Sequence, residues 1–163
     1  MTYLITFACY GCHLHGDESG SVDRNHNVPG HRVVDPDEAR ASRERDLMDQ
    51  APYFLNASIR GPVLDAIQEV CSHRQWTLLA AHVRANHVHT VVEADARPEK
   101  VMGDFRSYTS RRLNEIESEG RGRKRWARHG STRWLWNRDD VGAAIRYVLD
   151  EQGEPMAVFQ AQA

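Results

Sequence analysis

Alternating apolar runs and helical-period stretches divide this chain into elements before any chemistry is considered. "TYLITFACY" (2–10) is rich in β-branched and aromatic residues and predicts a first strand. Residues 11 to about 52 form a polar insertion in which Gly11, Gly16, Gly20, Pro29, Gly30 and Pro36 break any period. Within it, "DPDEARASRERDLMDQ" (35–50) has the Asp caps of one helix. Connections of this length are uncommon in compact domains unless they serve function or stay mobile. "SIRGPVLDAIQEVCSHRQ" (58–75) spaces Val63, Ile67, Val70 and Cys71 as one helical face behind a Pro near its start. "WTLLAAHVR" (76–84) and "HVHTVVEA" (87–94) are strand-like and separated by Ala85 and Asn86, the pattern of a tight hairpin.

The second half repeats the alternation. "RPEKVMGDFRSYTSRRLNEIES" (97–118) sets Met102, Phe105, Thr109, Leu113 and Ile116 on one helical stripe, with Pro98 and Glu99 in its first turn. A basic loop at about 119–128 follows, then a strand within "WARHGSTRWLWN" (126–137) and an Asp-capped helix "DDVGAAIRYVLDEQG" (139–153) ended by Gly153. The order is βαββαβ with an extra C-terminal helix. It predicts an α+β fold: a ferredoxin-like split βαββαβ, with helices packed on an antiparallel sheet. The length of 163 residues, with 40% hydrophobic and 27% charged positions, fits a single domain spanning 1–163.

Composition narrows the setting. No apolar run is long enough to span a membrane, and "MTYLITFACYGCH" lacks a basic start and a small-residue cleavage site, so a cytoplasmic protein is expected. Cys9, Cys12 and Cys71 are too few and too odd in number for a disulfide framework. "CYGCHLH" (9–15) invites a zinc reading through Cys9, Cys12, His13 and His15, but its two pairs are too close for a usual zinc module; a strand end running into a loop is simpler.

Charge changes the picture because its average misleads. The net value of −2 argues against a polyanionic partner, yet Gly103 to Arg138 holds ten Arg or Lys against four acids. That segment therefore carries +6 and the remainder −8. Trp126, Trp134 and Trp136 are interleaved with the cations. Phosphate contact by cations and base stacking on flat aromatics is how single-stranded nucleic acid is held, while a surface loop before a core strand is the plainer reading.

"NHVHTVVE" (86–93) supplies candidate chemistry. In an extended chain His87 and His89 share a face, with Val88 and Thr90 on the other. Adjacent imidazoles bind divalent metals when a further ligand arrives from elsewhere; the bland alternative is a half-exposed strand that holds two histidines. Tyr108 falls roughly 110° from the centre of its helix's apolar stripe, at the rim, where a phenol looks toward the sheet or simply closes the core. A metal-capable pair, a rim tyrosine and a basic aromatic segment together point to a phosphodiester nuclease with a tyrosine nucleophile.

The blocks "YLITFACYG", "HGDESGSVDRNHN", "VRANHVHTVVEA", "PEKVMGDFRSYTSRRLN", "WARHGSTRWLWN" and "AAIRYVLDEQG", in this order over nearly the whole chain, resemble the single-tyrosine HUH transposases, particularly the REP-associated tyrosine transposases. The resemblance implies that His87 and His89 hold Mg²⁺ or Mn²⁺ and that Tyr108 attacks single-stranded or hairpin DNA. Such attack leaves a 5′-phosphotyrosine and a free 3′-hydroxyl, and a second 3′-hydroxyl reverses it. Arg112, one turn after Tyr108, is then a candidate to favour the phenolate or to grip a phosphate. Arg106, Arg111, Arg112, Arg121, Arg123, Lys124, Arg125, Arg128 and Arg133 are the expected DNA contacts.

In some relatives a Gln one turn after the nucleophile completes the metal shell, whereas Arg112 stands there in this chain. The third ligand is therefore open among Glu93, Asp104, Asn114 and water. Relatives assemble the site within one chain or across a homodimer, and both arrangements remain open. Two other functions fit the same residues: a hairpin-binding regulator that has lost turnover, and a metal-dependent hydrolase using water with Tyr108 structural.

Overall fold

A computed structural model describes residues 1–12 and 38–162 of the chain. The elements are β1 (Thr2–Cys9), α1 (Glu38–Asp46), α2 (Ala57–Arg74), β2 (Thr77–Val83), β3 (His87–Glu93), α3 (Pro98–Ile116), a single 3-10 turn (Gly120–Gly122), β4 (Trp126–Leu135), α4 (Arg138–Asp150) and β5 (Ala157–Gln160). The sheet runs β4-β1-β3-β2-β5, and every neighbouring pair is antiparallel. Its first four strands have the order of the split βαββαβ fold that the pattern predicts. Of the long polar insertion, residues 13–37 lie outside the described part, together with His13 and His15 of the zinc reading. The helix expected at 35–50 is present as α1, from Glu38 to Asp46.

Local chemistry explains the boundaries. Asn56 caps α2, its side chain accepting a hydrogen bond from the Ser58 amide at 3.0 Å, and Gln75 ends the helix at φ +58. The β2–β3 hairpin closes where the Arg84 amide donates to the His87 carbonyl at 2.9 Å. β5 was not foreseen: "AVFQ" is a four-residue strand whose pairing is dictated by the open edge of β2 rather than by its own pattern.

Two crossovers, β1–α2–β2 and β3–α3–β4, each join parallel strands. Right-handed connection puts both helices on the same face. There Ile5, Phe7, Val88 and Val92 of the sheet meet Val63 and Ile67 of α2 and Phe105 and Leu113 of α3 in the main core. α4 covers the opposite face, where Ala144 and Val148 pack on Ala80, Val91 and Leu135. β3 is thus buried on both faces, which is why it reads as nearly continuous valine between its histidines and Glu93. The stripe of α3 is centred one residue away from the predicted one: Val101, Phe105, Thr109 and Leu113 are buried, Met102 is half-buried and Ile116 is exposed.

Candidate active site

Alternation along β3 gives His87 and His89 the face of Val91, hence the α4 side of the sheet. Their rings lie 4.6 Å apart and nearly perpendicular. His87 Nδ1 is hydrogen-bonded to Asn86 Oδ1, an acceptor, which places the proton on Nδ1 and the ring's lone pair on Nε2. His89 Nδ1 lies 2.9 Å from Thr6 Oγ1 on the neighbouring strand, where registry sets Thr6 directly opposite His89. In His89, an oxygen at Nδ1 and a buried Nε2 make the usual support of a metal-binding histidine.

His89 is only 3% exposed, and its Nε2 is a buried atom with no hydrogen-bond partner. Burial, then the neighbouring His87 and His82, depress its pKa to about 3; the Gln152 amide nearby opposes this, and Arg84 adds to it. The ring is therefore neutral at ordinary pH, the form that ligates metal. A buried neutral ring nitrogen without a hydrogen-bond partner is costly, and a divalent cation would satisfy it. Among the described residues no group of three His, Cys, Asp or Glu side chains converges as a metal site, so a full shell requires amide, phenol, substrate or water oxygens.

His82, directly opposite His89 on β2, is spoken for. Its Nδ1 donates to the Val148 carbonyl at 3.0 Å, and its Nε2 accepts from the Met156 amide at 3.1 Å. Burial lowers its pKa too. With both nitrogens used, His82 acts as a tie that pins the C-terminal turn of α4 and the approach to β5 against the sheet.

That tie fixes what stands beside the histidines. Tyr147, the residue before Val148, turns its ring edge-on to His89 at 5.6 Å while remaining 38% exposed. The Gln152 side-chain amide donates to the Tyr147 carbonyl at 3.1 Å, which holds the Gln152 head close to the same ring. A phenol, two imidazoles and an amide thus gather on one face of one chain. Sequence reasoning missed Tyr147 and Gln152, although both lie in the block "AAIRYVLDEQG".

Tyr108 is elsewhere. It packs against the main core on the α2–α3 side, 6.2 Å from the His73 ring and beneath the Arg111 guanidinium at 5.0 Å. The sheet separates it from the histidines, so the expected convergence of Tyr108 with His87 and His89 does not occur within one chain. Helical phase placed it correctly at a core rim; the crossover rule puts that rim on the other face. The suggested third ligands are also remote. Glu93 is exposed at the far end of β3, Asp104 pairs with Arg74 and Lys100, and Asn114 accepts from Arg125.

The predicted DNA contacts divide by partner. Arg125 is 3% exposed and holds Glu117, Asn114 and the Gly120 carbonyl at 3.1, 2.6 and 3.2 Å. Arg106 donates to the Arg128 and His129 carbonyls, and burial lowers its pKa. Arg112 pairs with Glu69, Arg123 with Glu119, and Lys124 with Asp49. These five stitch the fold. Arg111, Arg121, Arg128 and Arg133 are exposed, and register places Arg133, opposite Leu4, on the histidine face.

Comparisons with known proteins come from several directions. The profile of the family described as "Transposase IS200 like" matches residues 50–138. A structure of a REP-associated tyrosine transposase bound to a REP hairpin is similar at 11% identity and a TM-score of 0.49, covering 92% of this chain and 65% of that one. The chain thus spans about two thirds of that protein's length. A provisionally assigned transposase from Deinococcus radiodurans R1 is similar at 12% identity and a TM-score of 0.45, covering 93% and 90%. Among curated proteins, none matches. No helix among the described residues is long and apolar enough to cross a membrane.

Proposed function

Because the chain belongs to the IS200-like transposase family, we propose that it cuts and rejoins a single DNA strand at the α4 face, with Tyr147 as nucleophile and His87 and His89 as ligands of Mg²⁺ or Mn²⁺. The observation that carries the reading is the buried, partnerless Nε2 of His89 beneath the Tyr147 ring. A bound divalent cation supplies Lewis-acid stabilisation of charge on the scissile phosphate. Gln152 is positioned to complete the ligand set through its amide oxygen.

The remaining work falls to side chains of this chain. Tyr147 Oη attacks the phosphorus, its proton passing to solvent, and forms the bond to the 5′-phosphate as the P–O3′ bond breaks. The released 3′-oxygen takes a proton from water. A second 3′-hydroxyl reverses the step and regenerates the phenol. His82, through Val148, keeps Tyr147 over the histidines. Arg128 and Arg133 offer phosphate contacts along β4. The tyrosine and both histidines come from one chain, so the reading requires no residue from a second copy.

The test is covalent capture. The protein is incubated with Mn²⁺ and a labelled pool of single-stranded and hairpin oligonucleotides, and adducts are resolved on a denaturing gel. Wild type and Tyr108→Phe should form the adduct, while Tyr147→Phe and His89→Ala should not. An adduct that survives Tyr147→Phe but vanishes in Tyr108→Phe would return the nucleophile to α3 of another copy. Metal-dependent nicking without any adduct would favour hydrolysis by water.

A further inference from the structure

The three tryptophans of the basic segment have different fates. Trp126 is half-buried, edge-on to Phe7 at 4.9 Å, and its indole N–H donates to Ser110 Oγ at 3.1 Å. It belongs to the core rim. Trp134 and Trp136 instead stack on each other, with ring centroids 5.4 Å apart and planes within 12°. Tyr3 meets Trp134 edge-on at 4.9 Å and fixes the inner indole of the pair. Trp136 is 72% exposed and Trp134 40%. A stacked indole pair left this open forfeits the burial that such large apolar surfaces normally gain, a mark of a binding surface.

The surroundings favour a polyanion with flat faces. β4 is one of the two edge strands of the sheet. From Trp126 to Arg138 the chain carries Arg128, Arg133 and Arg138, all exposed, and no carboxylate. Asp139 and Asp140 follow in the first turn of α4, where Asp140 accepts from the Trp136 amide and so is held at the backbone. Register places Ser131 in the same row as Thr6 and His89. Two strand spacings and three residue rises from that row put Trp134 roughly 15 Å from His89 in the plane of the sheet. Trp134 pairs with Tyr3 of the main-core face, so the indoles stand on the face opposite the histidines. A strand cut beside His89 reaches them by passing round the exposed β4 edge, where Arg133 lies on the histidine side.

We propose that Trp136, backed by Trp134, is a stacking platform for an unpaired nucleobase of the DNA strand flanking the cut, with Arg128, Arg133 and Arg138 gripping its phosphates. The inference rests on the strand-transferase reading for its partner. Stacking contacts a π-face that all bases share, so the platform tolerates sequence and selects unpaired over paired DNA. A protein partner would need a broader apolar surface than two indoles within an arginine-bearing edge.

Anisotropy with a labelled oligothymidylate and an abasic strand of equal length, both in chelator so that no cutting occurs, isolates the base contribution. Wild type should bind the thymidylate at least about fivefold more tightly than the abasic strand. Trp136→Ala should lose that preference with its abasic affinity unchanged, and Trp136→Phe should keep most of it. A wild type that does not distinguish the strands overturns the proposal, as does a Trp136→Ala variant that keeps the preference or weakens equally on both strands. Covalent capture through Tyr147 is scored separately. Adduct formation with an intact preference in Trp136→Ala removes the platform alone, while lost preference without any wild-type adduct removes the transferase alone.

Discussion

Lowering the pH from about 7.5 to about 5 should cost the folded chain about 2 kcal/mol through His89 alone. The ring is 3% exposed, and its pKa falls from 6.5 to about 3, chiefly through burial and then through the charges of His87 and His82. A histidine depressed in the folded state is protonated first in the unfolded chain. Its contribution is therefore neutral above 6.5 and turns against folding as the pH drops through the window from 6.5 toward 3. At about pH 5 nearly every unfolded chain carries the proton and nearly no folded one does, which amounts to about 1.5 pH units at about 1.36 kcal/mol each. Because about pH 5 still lies above the folded value, the figure scarcely depends on how deep the depression runs. Urea denaturation of wild type and His89→Gln at both pH values isolates the effect, since groups common to both proteins cancel to first order. Equal losses in the two proteins would refute a neutral, buried His89, and with it the metal-ready Nε2.

Four further outcomes follow from the structure. Mn²⁺ should stabilise wild type by about 2.7 kcal/mol at a hundredfold excess over its Kd, read as a chelator-reversible rise in Tm that His89→Gln lacks. Gly130→Ala should destabilise by about 1–3 kcal/mol, or about 2–4 °C in Tm per kcal/mol. Its Cβ would stand 2.5 Å from Met102 Sδ and 2.8 Å from the Thr6 carbonyl, and a wild-type Tm would contradict that packing. Arg125→Ala should lose about 3 kcal/mol, the low end for a broken buried pair. The part-exposed Glu117 keeps the Tyr53 hydroxyl as a donor, while Asn114 and the Gly120 carbonyl lose theirs. Arg128→Ala should instead leave urea stability unchanged and weaken oligonucleotide binding in a salt-dependent way; the reverse pattern would show the cations to be wrongly sorted.

The histidine pair, the two crossover units and the basic segment were legible because each is written in short-range pattern. Period two puts His87 and His89 on one face, and the order βαββαβ fixes four of the five strands. Less legible was anything that depends on which face, or on who already holds a charge. Arg106 and Arg125 look like DNA contacts in a charge count, yet carbonyls and Glu117 claim them in three dimensions. β5 carries too few residues to announce itself and exists because β2 has an edge to fill.

Tyr108 and Tyr147 show where the division falls. Helical phase locates each tyrosine on its own helix but says nothing of which side of the sheet that helix covers. Alternation likewise pairs His87 with His89 without saying whether α3 or α4 faces them. By itself the sequence determined the chemistry available: imidazoles, phenols, cations and their spacing along each element. Only the tertiary structure decided which phenol meets the imidazoles, because right-handed crossovers send α2 and α3 to one face and leave the other, with His89 on it, to α4.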